Sequence, residues 1–316
     1  MLIINIGILL LSLYLIIKFS DIFVDASTSI AESFKIPKMV IALTVAAFST
    51  CAPELAISFN SISSGNSDMT LANVIGSSII NILLIIGVSA IIKPIKLKER
   101  TIRKELPLLL LITTGFFFLL NDSFFKNVGN SLSRPDGIIL LIFFAIFCVY
   151  IYSITRKHKE DYLDEPEFNK KQSIIVIIAA IIGIIITSDL IVDSAVFIAE
   201  TLNISQKFIS MTIIVIGTSL PELTITILSA KKGEFDMAIG NIIGTNIFNI
   251  CVVLGLPITI FGTVASSAFG LIDLMIVLLA ALLLFIFGTS DKKLTRREGI
   301  VMLLVVVIYY LYLFIM

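Results

Sequence analysis

Apolar residues fall along this chain in ten blocks, parted by short stretches that hold most of the charge. The blocks lie at 2–17, 39–63, 70–92, 107–121, 136–154, 173–192, 206–229, 238–260, 268–288 and 298–315. A helix of about 20 apolar residues spans the roughly 30 Å hydrocarbon core of a bilayer, so each block predicts a transmembrane helix. The first and sixth blocks run on at helical spacing through S-D-x-x-V-D, at Ser20 to Asp25 and Ser188 to Asp193. That continuation extends them to about Glu32 and Glu200, as long tilted helices.

Polar residues inside the blocks recur at a fixed interval. TVAAFSTCAPELAIS, from Thr44, is followed by NVIGSSIINILLIIG, ending at Gly87. TIIVIGTSLPELTIT and NIIGTNIFNICVVLG repeat the pattern from Thr212 to Gly255, offset by 168 residues with no gap. Thr50/Thr218, Pro53/Pro221, Glu54/Glu222, Asn73/Asn241, Asn81/Asn249 and Gly87/Gly255 are matched positions, and SDIFVDASTSIAE matches SDLIVDSAVFIAE upstream.

Composition agrees with the blocks. Hydrophobic residues make up 58% of the 316, mean hydropathy is +1.07, and charged residues are 15%, against roughly 25% in soluble domains. The distribution of charge says more than its zero net value. Placing alternate loops on opposite sides puts 20 of the 23 Lys and Arg on one side, leaving only Lys126, Arg134 and Lys207 on the other. By the positive-inside rule this predicts an even number of spans with both termini extracellular. The charged stretch Arg156–Gln172, with Pro166, reads as a cytoplasmic joint between two halves: 1–155, then the linker 156–172, then 173–316. Five helices per half is an odd number, so the second half enters from the opposite face. The expected fold is an all-α membrane protein of ten transmembrane helices in two inverted-topology five-helix repeats. Secondary transporters are built this way, with the site at the bilayer midplane. The N-terminus begins in an apolar run without a basic region or cleavage site, and reads as a retained helix. Cys51, Cys148 and Cys251 lie in apolar blocks and the single His158 lies in a charged stretch, a pattern that fits neither a disulfide framework nor a zinc site.

Glu54 and Glu222 carry the candidate chemistry. An ionisable side chain at membrane depth is costly and marks a functional site. Each follows a proline, which has no N–H and so releases a backbone carbonyl four residues back. Carboxylate, freed carbonyls and nearby hydroxyls form an all-oxygen set suited to hard cations such as Ca²⁺. Asn73, Ser77 and Asn81 share one helix face at i, i+4 and i+8, and Asn241, Thr245 and Asn249 repeat that face. Ala72–Gly76 and Gly240–Gly244 are small-xxx-small pairs that suit close helix packing. Asp21, Asp25, Asp189 and Asp193 also repeat, and read as caps and solvated turns near helix ends.

At these residues the chain resembles the calcium/cation antiporter superfamily, and among its members the prokaryotic sodium/calcium exchangers. GTSLPE at 217–222 and GNIIGTNIFN at 240–249 follow the family's paired motifs almost fully; STCAPE at 49–54 and ANVIGSSIIN at 72–81 follow them more loosely. The resemblance implies that Glu54 and Glu222 ligate Ca²⁺ with the carbonyls of Thr50 and Thr218. It implies flanking Na⁺ sites from the carbonyls of Ala47 and Val215 and the side chains of Ser77, Ser219 and Thr245, with Asn81 and Asn249 lining the centre. Two departures stand out. Asn249 replaces an Asp found in many members, and an amide cannot carry a proton. Cys51 replaces a Ser, and a thiol is a poor Na⁺ ligand.

The expected function is exchange of Ca²⁺ for Na⁺ across the cell membrane by alternating access, electrogenic if three Na⁺ replace one Ca²⁺. An H⁺/Ca²⁺ antiporter of the same superfamily is the alternative, although the His of the proton-coupled members is missing from both repeats. A passive cation channel is a third reading. No enzymatic motif, cofactor, nucleic-acid partner or obligate protein partner is expected; the partners are Ca²⁺, Na⁺ and the lipid bilayer.

Overall fold

The computed structural model describes residues 2–63, 67–121, 131–157, 168–201, 217, 219–265 and 271–315. Each expected block contains described helix, but 206–216 and 218 of the seventh and 268–270 of the ninth lie outside the described residues. Among the described residues, six helices are long and apolar enough to cross a membrane.

α1 (Leu2–Phe34) and α7 (Lys170–Thr201) are each one continuous helix, as the S-D-x-x-V-D continuation predicts. α1 ends at Lys35, which adopts a left-handed conformation (φ 53°), while the N–H of Ile36 reaches back to the Ala31 carbonyl. Pro37 follows and cannot continue the helix. The two long helices pack along one another. The Phe19 ring lies over Gly183, where a Cβ would meet it at 2.6 Å. Their outer faces expose Leu10, Tyr14, Ile175 and Ile178, as lipid contact requires.

The remaining helices form the core. They are α2 (Lys38–Thr50), α3 (Ala52–Ser63), α4 (Ser67–Ile79, a π-helical turn Ile80–Ile85, then Ile86–Ile92), α5 (Leu106–Leu120), α6 (Arg134–Lys157), α8 (Leu220–Lys232), α9 (Phe235–Phe261), α10 (Leu271–Ser290) and α11 (Arg296–Ile315). α4 and α9 are the most deeply buried of the six long apolar helices. One large apolar cluster runs from α2 through α6 and from α9 through α11. A second joins α1 and α7 to α2, Ile225 and Met237. The α1/α7 pair is therefore a layer with its own packing surface, laid on the core.

The matched glycines Gly87 and Gly255 make similar contacts, each with a glycine of the other copy. A Cβ on Gly137 would sit 2.9 Å from the Gly255 carbonyl, and one on Gly299 would sit 2.6 Å from the Gly87 carbonyl. α6 thus crosses α9, and α11 crosses α4, at backbone-to-backbone distance. In the first turn of α6, Asp136 accepts from the Ser133 N–H and hydroxyl; in the first turn of α11, Glu298 accepts from the N–H and hydroxyl of Thr295. These are capping boxes that start the two helices at equivalent points. The all-α expectation needs one amendment. Two short antiparallel ladders join the copies, β1 (Ile95–Lys96) with β4 (Lys293–Leu294) and β2 (Ser131–Leu132) with β3 (Val264–Ala265). Each ladder pairs a strand from one copy with a strand from the other and satisfies backbone groups where helices end.

Candidate cation site

The sequence reading took 39–63 and 206–229 each as one span, with carbonyls released ahead of Pro53 and Pro221. The structure breaks the helix two residues before each proline. α2 ends at Thr50, Cys51 turns with φ −82° and ψ 0°, and α3 starts at Ala52. In the second copy Ser219 turns with φ −90° and ψ 6°, and α8 starts at Leu220. Pro53 and Pro221 are the second residues of the new helices, where the missing N–H would be unpaired in any case. Glu54 and Glu222 consequently lie in the first turns of α3 and α8. The carbonyl end of α2 points at the same break, which is how half-helix ends come to face a cation.

Both glutamates are fully buried, at 1% and 0% exposure. They lie within electrostatic reach of one another, and the Cys51 thiol is within reach of both. Thr50 stands beside the Glu222 carboxyl, but its hydroxyl donates to the Ala47 carbonyl at 3.3 Å. Ala47 also accepts the Cys51 N–H at 3.1 Å, so both lone pairs of that carbonyl are engaged. Neither carboxyl oxygen of Glu222 has a hydrogen-bond partner among the described residues, nor has Oε2 of Glu54. Such groups cost several kcal/mol when buried alone, on the order of 2–7 for a neutral polar group and more for a charge.

The polar stripes divide into two roles. Asn73 donates to the Glu54 backbone carbonyl at 3.3 Å, and Asn241 donates to the Thr226 hydroxyl at 3.1 Å. These two amides tie α4 to α3 and α9 to α8. One and two turns further on, the side chains are left open. Asn81 and Asn249 are buried with neither amide atom bonded, and Thr245 Oγ1 and Ser219 Oγ are likewise without partners among the described residues. Ser77 donates to the Asn73 carbonyl at 2.6 Å, which leaves its lone pairs free to accept. π-helical turns begin at Ile80 and Asn249, so each open asparagine sits where the helix widens. Such turns favour functional sites because they re-aim side chains and carbonyls.

Close packing brings the copies together. A Cβ on Gly240 would meet Met39 Sδ at 2.6 Å, and one on Gly244 would meet Ala47 Cβ at 2.8 Å and the Leu43 backbone at 2.9 Å. The small-xxx-small pair on α9 is thus the seat for α2, and it sets Thr245 against the break at Cys51. The Cys51 thiol donates to the Thr245 carbonyl at 3.8 Å. Val215 and Thr218, whose carbonyls the resemblance implicates, lie outside the described residues. Of the other expected residues, the structure brings Thr50, Cys51, Glu54, Glu222 and Thr245 to one place.

Three buried polar side chains were not anticipated. Among the described residues, Ser58 and Ser78 each have an unpartnered hydroxyl, and Asn246 donates to the Ile242 carbonyl at 2.7 Å while its Oδ1 has no partner. Ser58 stands four residues after Glu54, as Thr226 does after Glu222, and Ser78 and Asn246 are matched across the repeat. The repeat itself was the signal that could have found them.

The chain is similar to known proteins along most of its length. The family model described as sodium/calcium exchanger protein matches residues 4–153 and 172–316. The sodium/calcium exchanger MaX1 of Methanosarcina acetivorans is 29% identical over 81% of this chain and 83% of its own length. The inner membrane protein YrbG of Escherichia coli is 34% identical over 79% and 78%. A solved structure of the sodium-calcium exchanger NCX_Mj superposes with a TM-score of 0.83 at 32% identity, over 98% of each chain. With its long apolar helices, this is a multi-pass membrane protein, and the chain belongs to the sodium/calcium exchanger protein family.

Proposed function

We propose that the chain is a secondary antiporter that exchanges Ca²⁺ for Na⁺ by alternating access in the cell membrane. The observation that carries this reading is the pair of buried glutamates, each in the first turn of a half-helix and each with at least one carboxyl oxygen unpartnered among the described residues. Glu54 and Glu222 bind Ca²⁺, and their two negative charges neutralise it. Asn81, Asn249, Ser77, Ser219 and Thr245 supply neutral oxygens around it, with the Thr50 and Thr218 carbonyls completing the set. Na⁺ replaces Ca²⁺ at the glutamates and at flanking positions that use the Ala47 and Val215 carbonyls. The Ala47 carbonyl joins only after releasing one of the donors it now holds. Three Na⁺ against two carboxylates leave the loaded site at +1, so the cycle is electrogenic.

The architecture in this reading is ten spans in two inverted halves, 1–155 and 173–316, joined by a cytoplasmic linker at 156–172, with both termini outside. The matched Gly–Gly crossings and the paired ladders support it. The α1/α7 layer, with its separate apolar cluster, rocks on the core to expose the site to each face in turn. Proton coupling is the lesser reading, since Asn249 does not titrate and a proton would have to ride on a glutamate. Ca²⁺ uptake into Na⁺-loaded proteoliposomes tests the proposal. Uptake should require the Na⁺ gradient and quicken with an inside-positive potential. Uptake that ignores Na⁺, or that proceeds with equal acidification in its absence, overturns it.

A further inference from the structure

Among the described residues, ion pairs and a hydroxyl contact fasten the α1/α7 layer to the core at one end of the molecule. Lys232, at the end of α8, pairs with Asp21 at 2.7 Å and with Asp25 at 2.5 Å, both on α1. About two turns nearer the site on α8, the Thr224 hydroxyl accepts from Ser20 at 2.7 Å. Lys38, at the start of α2, pairs with Glu234 at 2.8 Å and with Glu32 at 3.5 Å. By the repeat, the other end should carry the same contacts. Ser188, Asp189, Asp193 and Glu200 are indeed kept on α7. Their counterparts are not. The positions matching Thr224, Lys232, Lys38 and Glu234 are Ala56, Ser64, Gln206 and Asn66. At the matched positions, one end therefore has both halves of each ion pair, and the other has only the acids on the long helix. Asp189 and Asp193 are exposed.

The structure assigns Lys232 as a positioning residue for alternating access: held between Asp21 and Asp25, it latches α1 to α8 at the lysine-bearing end and biases the resting protein toward the state closed there. This rests on the antiport reading. In an exact inverted repeat the inward- and outward-open states would be exchanged by the pseudo-symmetry and equal in energy, so any standing bias must come from positions where the copies differ. The latch is such a difference, and it lies where the layer has to lift. A half-exposed pair is worth about 0–1 kcal/mol, which shifts the equilibrium by up to about fivefold. That suffices to set a preferred state without blocking the cycle.

The test uses native Cys51, at the site, as the reporter. A membrane-impermeant thiosulfonate is applied to one face or the other of sealed vesicles, and modification of Cys51 is followed by peptide mapping. Lys232→Ser should raise the labelling rate from the lysine-bearing face relative to the opposite face by about two- to fivefold. The exchange Asp25→Lys/Lys232→Asp should return the ratio toward that of the native chain. A purely structural role would lower thermal stability and leave the ratio of the two rates unchanged, which overturns the proposal, as does a ratio that the exchange fails to restore. The labelling ratio does not depend on flux, so absence of Na⁺-driven Ca²⁺ uptake would sink the antiport reading and leave this result legible.

Discussion

The Cys51 thiol meets the Thr245 carbonyl 194 residues away in the chain, at 3.8 Å. This weak contact joins the broken helix of one copy to the polar face of the other, at the point where both glutamates converge. Its counterpart position, Ser219, carries a hydroxyl. The pseudo-symmetric site thus has a soft donor on one side and a hard one on the other.

Cys51→Ser should strengthen Na⁺ binding. A hydroxyl replaces a soft donor beside two carboxylates, and one extra oxygen contact is worth about 0.5–1.5 kcal/mol, or roughly two- to tenfold in half-saturating Na⁺. The Na⁺ dependence of Ca²⁺ efflux measures it. An unchanged half-saturation would place Cys51 outside the Na⁺ path.

Glu54→Gln and Glu222→Gln should each stop Ca²⁺ transport. Each removes one of the two charges that offset the ion, and losing one member of a buried charge pair costs about 3–5 kcal/mol, or some 10²- to 10³-fold in affinity. Ca²⁺ binding by calorimetry and flux in vesicles should fall together. Normal flux in both variants would exclude the carboxylates as ligands.

Asn249→Asp should make transport pH-dependent. The native amide does not titrate, whereas the new carboxylate is a ligand only when ionised. Flux should fall as pH drops, because protonation neutralises the new ligand. Matching pH profiles for the variant and the native chain would show that position 249 does not face the ions.

Gly244→Ala should loosen the seat of α2. The added methyl lies 2.8 Å from Ala47 Cβ and 2.9 Å from the Leu43 backbone, so a helix must move. Overpacking of this kind costs about 1–3 kcal/mol, and here the shift is transmitted to the break at Cys51. Thermal stability and cation affinity should both decline. Gly7→Ala, with nothing within 4 Å of the new methyl, should leave both unchanged.

Much of this protein is written locally. Block length set the helices, because backbone polar groups in lipid must be bonded within the segment that carries them. The S-D-x-x-V-D runs carried α1 and α7 to their ends, and an ungapped offset of 168 residues matched Glu54 to Glu222 and Asn81 to Asn249. Such features depend on neighbours a few residues apart, or on comparison of one stretch with another. Tertiary structure decided where the helix breaks, since Pro53 is tolerated equally as a kink or as the second residue of a new helix, and only the approach of α9 through Gly240 and Gly244 resolves the choice in favour of Cys51. It also separated Asn73 and Asn241, which bind neighbouring helices, from Asn81 and Asn249, which remain open, although all four are spaced alike along the chain. A side chain's role inside a membrane depends on which partner reaches it across the interface between helices, and that distance is not encoded in spacing along a single helix.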